Sequence, residues 1–152
     1  MKRGFKIAKD WENKNINIPK RQSTFSAGYD IEAAEQTTIP PLTKAKNPTL
    51  VKTGIKAYME DDEYLMLANR SSNPLKKSLV LANGIGIIGK DYYENQENDG
   101  HIIFAFYNLS EKEIIIKKGE RIGQAIFQKY LKTETDTTSK TRTGGFGSTN
   151  KK

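Results

Sequence analysis

The sequence predicts an all-β fold, an antiparallel sandwich or barrel, on three observations. Short apolar runs rich in β-branched residues recur between residues 49 and 130, turn-forming residues separate them, and no long amphipathic helix intervenes. Residues 49–59 open the series with a partly alternating pattern, read as one strand. Residues 64–67, 85–88, 102–107 and 114–116 follow, and 122–130 close it. Between them stand Ile39-Pro40-Pro41, Asn47-Pro48, Glu60-Asp61-Asp62, Asn83-Gly84, Asn98-Asp99-Gly100 and Lys118-Gly119-Glu120, all with turn chemistry. One stretch, residues 71–79, predicts a helix of about two turns, with serine hydroxyls to cap it and Pro74 near its start.

Composition narrows the function. With 152 residues and 36% hydrophobic side chains, the chain supports one core, and a second domain does not fit. It has no Cys and a single His, which excludes disulfide scaffolds, Cys nucleophiles, iron–sulfur clusters and Cys/His zinc sites. A Ser–His–Asp hydrolase would have to use His101. No apolar run approaches the roughly 20 residues of a membrane span. Residues 1–21 are charged throughout, with no apolar stretch of the kind a secretory signal needs. The expectation is a soluble, cytoplasmic protein with no membrane partner.

The net charge of +7 is unevenly distributed. Residues 1–21 hold seven basic and two acidic groups, and residues 132–152 hold five and two, while the stretch between is nearly balanced. A duplex-reading fold would concentrate basic residues on a packed element. Here they sit at the two ends, which reads as solubilising tails, and no nucleic-acid partner is expected.

Three constellations carry chemistry, each with two readings. Arg70-Ser71-Ser72, between a strand and the short helix, offers a fork of donors and hydroxyls that could cradle phosphate, or simply a helix cap beside a solvated Arg. Asn83-Gly84 reads as a tight turn into a buried strand; a hairpin there could bond a base edge, or be only a turn. Residues 132–152, with seven Thr and Phe146 as the one large apolar group, cannot bury themselves. They form either a frayed tail or a segment whose glycines, hydroxyls and aromatic ring close on a nucleotide.

Five stretches in order then resemble a known family: Ala27-Gly28-Tyr29-Asp30-Ile31, Arg70-Ser71-Ser72, residues 83–92, Gly119-Glu120-Arg121-Ile122-Gly123-Gln124, and residues 142–149. Over residues 22–149 the chain resembles the trimeric all-β dUTPases, in particular the bacterial and prophage type. The resemblance implies a distorted antiparallel β-barrel, jelly-roll-like, over residues 1–131, and a mobile arm over 132–152 that closes on the active site. It implies a homotrimer with sites at subunit interfaces, hydrolysing dUTP to dUMP and pyrophosphate with Mg²⁺ on the triphosphate.

Site residues follow from the same resemblance. Arg70, Ser71 and Ser72 match phosphate-holding residues, and Gln124 a phosphate-side residue of the fourth motif. Asn83 and residues 84–88, with Gly86, Ile87 and Ile88, match the pocket that reads uracil. Tyr92 matches the aromatic under the deoxyribose that excludes a ribose 2′-hydroxyl. Arg142, Phe146, Gly147, Ser148 and Thr149 match the arm, with Phe146 over uracil. Asp30 matches an acid that organises the metal's water shell.

One position departs from the family pattern. Its third motif runs Gly, apolar, Ile, Asp, any residue, Asp, Tyr, and Gly89 stands here where the first Asp, the general base, is expected. Asp91 is the nearest carboxylate. If the segment is extended, positions 89 and 91 share a face about 6–7 Å apart, too far for direct substitution. Three readings follow: a disabled dUTPase, a slow enzyme using Asp91 or solvent, or a dUTP-binding module acting on a regulatory protein partner. The related dCTP deaminases share the fold but require an acid–base set absent here. Residues 94–100 read as an acidic, exposed insertion, and His101 as structural.

Overall fold

The structure is a computed structural model and describes residues 2–140 and 142–150; Met1, Thr141, Lys151 and Lys152 lie outside the described residues. Eleven strands and one short helix are described. Alternating side chains decide which way each long strand faces. In β6 (Glu63–Asn69), Leu65 and Leu67 point inward between half-exposed neighbours, and in β9 (Ile103–Asn108) Phe104 and Phe106 do the same.

Four sheets share one core. A four-stranded antiparallel sheet runs β2 (Tyr29–Glu32), β11 (Arg121–Lys129), β6 and β8 (Gly86–Gly89). A three-stranded sheet runs β4 (Thr49–Lys52), β9 and β7 (Leu79–Leu81). Two ladders complete the wall: β1 (Gly4–Ile7) with β5 (Ile55–Tyr58), and β3 (Thr37–Ile39) with β10 (Ile114–Ile116). Every sheet contributes to a single cluster that includes Ile31, Ile39, Val51, Ile55, Leu65 and Phe104. Asn108, fully buried, ties β9 to β3 by donating to the Ile39 and Lys112 carbonyls at 3.0 and 2.7 Å. The all-β expectation and the distorted barrel hold. Among the described residues, no helix is long and apolar enough to cross a membrane.

Several sequence expectations need correction. Residues 49–59 form two strands, because Gly54 at φ +71° turns the chain between β4 and β5. The N-terminal segment is no solubilising tail: β1 pairs with β5, and Trp11 is buried against His101. Much of its charge is engaged, Arg3 with Glu63 and Lys6 over the Tyr58 and Tyr93 rings. The helix α1 (Ser72–Lys77) forms, but Ser71 at its N-cap makes no side-chain capping bond. Asn83-Gly84 does not close a hairpin, since β7 and β8 belong to different sheets. The turn carries the chain from one sheet to the other, and β8 is a half-exposed edge strand with Ile87 59% exposed.

Candidate functional site

Two clusters gather the candidate residues. The first lies where β2, β11 and the end of β6 meet. Gln124 on β11 sits opposite Asp30 on β2 and Ala68 on β6, and its Nε2 donates to the Asn69 carbonyl at 3.4 Å. Gly28 allows this packing, because a β-carbon there would collide with the Gln124 amide. Asp30 Oδ2 is 3.7 Å from an Arg121 guanidinium nitrogen, and Arg70 donates to the Arg121 carbonyl at 3.3 Å. Ser71 is exposed and Ser72 half-buried at the start of α1. Asn73, buried, braces this corner by donating to Asn69 Oδ1 and the Ile122 carbonyl. Two cations, two hydroxyls and one carboxylate thus surround this corner, and it suits a phosphate chain carrying a hydrated metal.

The second cluster surrounds β8. A cavity of about 220 Å³ is lined by Asn83, Gly86, Ile87, Ile88, Gly89 and Tyr92, together with Leu67, Ile103 and, from the C-terminal segment, Arg142, Gly145 and Phe146. Since β8 pairs with β6 on one side only, its outer backbone N–H and C=O groups are presented to a ligand. Gly86 packs closely here: a β-carbon would stand 3.0 Å from the Leu67 side chain, which would have to shift by a few tenths of an ångström. Tyr92 is 6% exposed; its hydroxyl donates to the His101 carbonyl at 2.7 Å and accepts from Asn98 Nδ2 at 2.8 Å. Burial raises the Tyr92 phenol above its ordinary range, so it stays protonated.

Gly89 is followed by a 3-10 turn, Lys90–Tyr92, not by extended chain. The expected 6–7 Å separation is therefore corrected: the turn folds Asp91 back, and its Oδ1 lies 3.1 Å from where a β-carbon on residue 89 would be. Lys90 points elsewhere, its ammonium held by Asp61. Gly89 also borders a wider cleft of about 930 Å³, lined by Tyr64, Ile87, Lys90, Tyr93 and Tyr130 among others.

The C-terminal segment returns to this second cluster. Residues 131–140 are exposed, and then Arg142 Nε donates to Asp91 Oδ1 at 3.2 Å. Gly145 packs so closely on the Tyr92 ring that a β-carbon would come within 2.6 Å of it. Phe146 adopts φ +51°, lines the cavity and is 74% exposed. Gly147 continues the turn at φ +89°, Ser148 is buried with its hydroxyl unpartnered among the described residues, and Thr149 is exposed in the last turn.

The two clusters lie along the same β6 strand. Gly86 faces Leu67, beside the Ala68 that pairs with Gln124, whereas Gly89 faces Tyr64, six residues before Arg70, or about 20 Å of strand. Residues outside the motif pattern also join the second cluster, namely Asn98, Leu67 and Ile103. Nothing in their sequence spacing marks them, except that Asn98 belongs to the insertion.

That insertion is not simply exposed, as expected, but tied down. Asn95 is buried, and Lys56, buried on β5, donates to Glu94 Oε1 and Asp99 Oδ2, both at 2.9 Å. Burial alone would lower the Lys56 ammonium, yet its bonds to Asp99 and Glu94 carry it above its ordinary value. His101 is structural, accepting the Gly54 N–H on Nε2 at 2.9 Å.

Comparison with known proteins agrees with this architecture. The dUTPase family pattern matches residues 14–150. A deoxyuridine 5′-triphosphate nucleotidohydrolase of Lactococcus lactis is 47% identical over 149 residues, 97% of each chain. The crystal structure of dUTPase from Streptococcus mutans superposes with TM-score 0.79 and 41% identity, covering 86% of this chain and 98% of that one. At 16% identity and TM-score 0.70, the dUTPase of phage phi11 of S. aureus, described with a structural Mg(II) ion, shares the fold over 92% of this chain and 98% of its own. The chain therefore belongs to the dUTPase family.

Proposed function

We propose that this chain binds dUTP and hydrolyses it to dUMP and pyrophosphate, as a homotrimer acting on the cytoplasmic nucleotide pool, with Gly89 slowing the chemical step. The observation that carries this reading is the cavity on β8. It has nucleoside dimensions, an edge of free strand backbone, a clamped aromatic wall and residues of the C-terminal segment in its lining. A fixed row of backbone donors and acceptors complements the uracil edge, whereas cytosine would leave groups unpaired. Tyr92 stands against the sugar, and Phe146 covers the base.

The distance along the strand between Gly89 and Arg70 supports sites built between subunits. Arg70, Ser71, Ser72, Gln124 and Asp30 of one copy would meet the cavity of another, and the arm, residues 132–152, would supply Arg142, Gly147, Ser148 and Thr149 to the outer phosphates. Ser148, whose buried hydroxyl has no partner among the described residues, could donate to such a phosphate. Among the described residues no group of three acidic or His side chains could cage a metal. That suits Mg²⁺, which arrives on phosphate oxygens and keeps its waters; Asp30 would hold those waters, and the ion would neutralise charge on the triphosphate.

The reaction is attack of water on the α-phosphate, with pyrophosphate leaving and one proton passing to a base or to solvent. Gly89 cannot take that proton. Asp91 lies near the vacated space but is engaged by Arg142, so it becomes free only when Arg142 turns to a phosphate. Closure of the arm excludes water from the site.

The test is calorimetric binding of dUTP with Mg²⁺ alongside measured pyrophosphate release. Tight, uracil-specific binding with slow release is expected. Binding without any release would move the regulatory-module reading forward, and no binding would sink the assignment.

A further inference from the structure

The loop over residues 94–100 is spent almost entirely on one phenol. Asn98 Oδ1 accepts from Gly100 N at 3.1 Å and Asn95 Nδ2 at 2.8 Å, so its amide can face Tyr92 only with the donor end. Asn95 Oδ1 in turn accepts from the backbone N–H groups of Glu97 and Asn98, and its Nδ2 donates to the Tyr92 carbonyl at 2.7 Å. The loop is anchored from below by Lys56, through Glu94 and Asp99, and Asp99 also accepts from the Lys9 N–H at 2.8 Å. The Tyr92 hydroxyl, accepting from Asn98 and donating to His101, has both its roles filled.

A ring wall rejects one added hydroxyl only to the extent that it cannot move aside. Apolar pockets discriminate poorly against a substrate that merely gains a hydroxyl, because packed side chains give way. Displacing Tyr92 would leave two buried polar groups unsatisfied at once. From this geometry we infer that Asn98, on its Lys56-anchored loop, is a positioning residue for Tyr92 and sets how strongly the site prefers a deoxyribonucleotide over a ribonucleotide. The inference rests on the reading of the β8 cavity as a deoxynucleotide pocket. Asn98 does not line that cavity and acts through Tyr92 alone.

The test compares equilibrium binding of the α,β-imido analogues of dUTP and UTP, so that turnover plays no part. Three full-length proteins are needed: the wild type, Asn98→Asp and Tyr92→Phe. Asn98→Asp keeps the acceptor for Gly100 and Asn95 and removes the donor to the phenol. Tyr92→Phe keeps the ring and the loop's own bonds and removes the hydroxyl. The wild type should prefer the deoxy analogue, and each variant should lower that preference about five- to tenfold, chiefly by binding UTP analogue more tightly. Preference for uracil over cytosine should not change. An unchanged deoxy/ribo ratio in both variants, or equal weakening of both nucleotides, would overturn the inference and leave Asn98 a purely structural residue. A wild type without deoxy preference would instead remove the pocket reading itself. If Asn98→Asp does not fold, Asn98→Ala, which leaves the Tyr92–His101 bond intact, takes its place in the comparison, and an unchanged deoxy/ribo ratio in it overturns the inference.

Discussion

Arg142 Nε lies 3.2 Å from Asp91 Oδ1, and that same oxygen lies 3.1 Å from the position a β-carbon on residue 89 would take. The arm's guanidinium and the gap left by Gly89 therefore meet at one carboxylate. On the proposed reading, this relationship would couple the arm to Asp91 as proton acceptor.

Gly89→Asp should restore a base without disturbing the fold. Gly89 has φ −80° and ψ 160°, extended backbone that any residue adopts, and among the described residues beyond its chain neighbours Asp91 alone comes within 4 Å of a β-carbon there. The two carboxylates would repel, but Arg142 stands beside them to offset the charge. Pyrophosphate release from dUTP with Mg²⁺ should rise by about a hundredfold or more. Equal rates would mean that the attacking water is activated by another group.

Asp91→Asn should remove what turnover the chain has, by about tenfold or more, while dUTP binding changes little. The turn of Lys90–Tyr92 brings Asp91 beside Gly89, and among the described residues no other carboxylate lies within 4 Å of that β-carbon position. Single-turnover kinetics separate the two effects. A variant as fast as the parent would leave solvent as the only acceptor.

Gly145→Ala should weaken docking of the arm. Its β-carbon would come within 2.6 Å of the Tyr92 ring, and that ring is clamped at its hydroxyl, so it cannot yield cheaply. Cleavage by trypsin after Lys140 and Arg142, in the presence of a non-hydrolysable dUTP analogue, should become several-fold faster. Protection equal to the parent's would show that the arm seats without this contact.

His101 should make stability fall in mild acid. Burial, and then the nearby Lys52 charge, lower its imidazole from 6.5 to about 4. The physical reason is visible in the bond from the Gly54 N–H, which needs a lone pair on Nε2. The folded-state value is below the unfolded one, so the unfolded chain takes up a proton first. Stability is then full above about pH 6.5 and drains away as pH falls toward 4, by on the order of 2–3 kcal/mol. Urea unfolding between pH 5 and 7 should show this slope, and His101→Gln, which offers an acceptor that does not titrate, should flatten it. An unchanged slope in that variant would assign the acid sensitivity to other groups.

Strand runs such as those ending in β6, β9 and β11 were legible in the chain because their burial alternates, and the pattern is local. The same holds for Arg70-Ser71-Ser72, Tyr92 and Phe146, whose order and spacing carry the family resemblance. Gly89 stood out for the same reason, as a departure from the resembled motif at one position. What the amino-acid order could not convey depends on which distant segments meet. The charged N-terminus packs because β5 offers it an edge and Trp11 a place against His101. Asn83-Gly84 looks like a hairpin turn, yet β6 and β9 compete for the strands on either side and separate them. Only the tertiary structure decided that Asp91 curls back to Gly89 and that Asn98 grips Tyr92. Both outcomes turn on side-chain hydrogen bonds and ion pairs closed between neighbouring segments of the fold, and no periodicity in the chain encodes such closures.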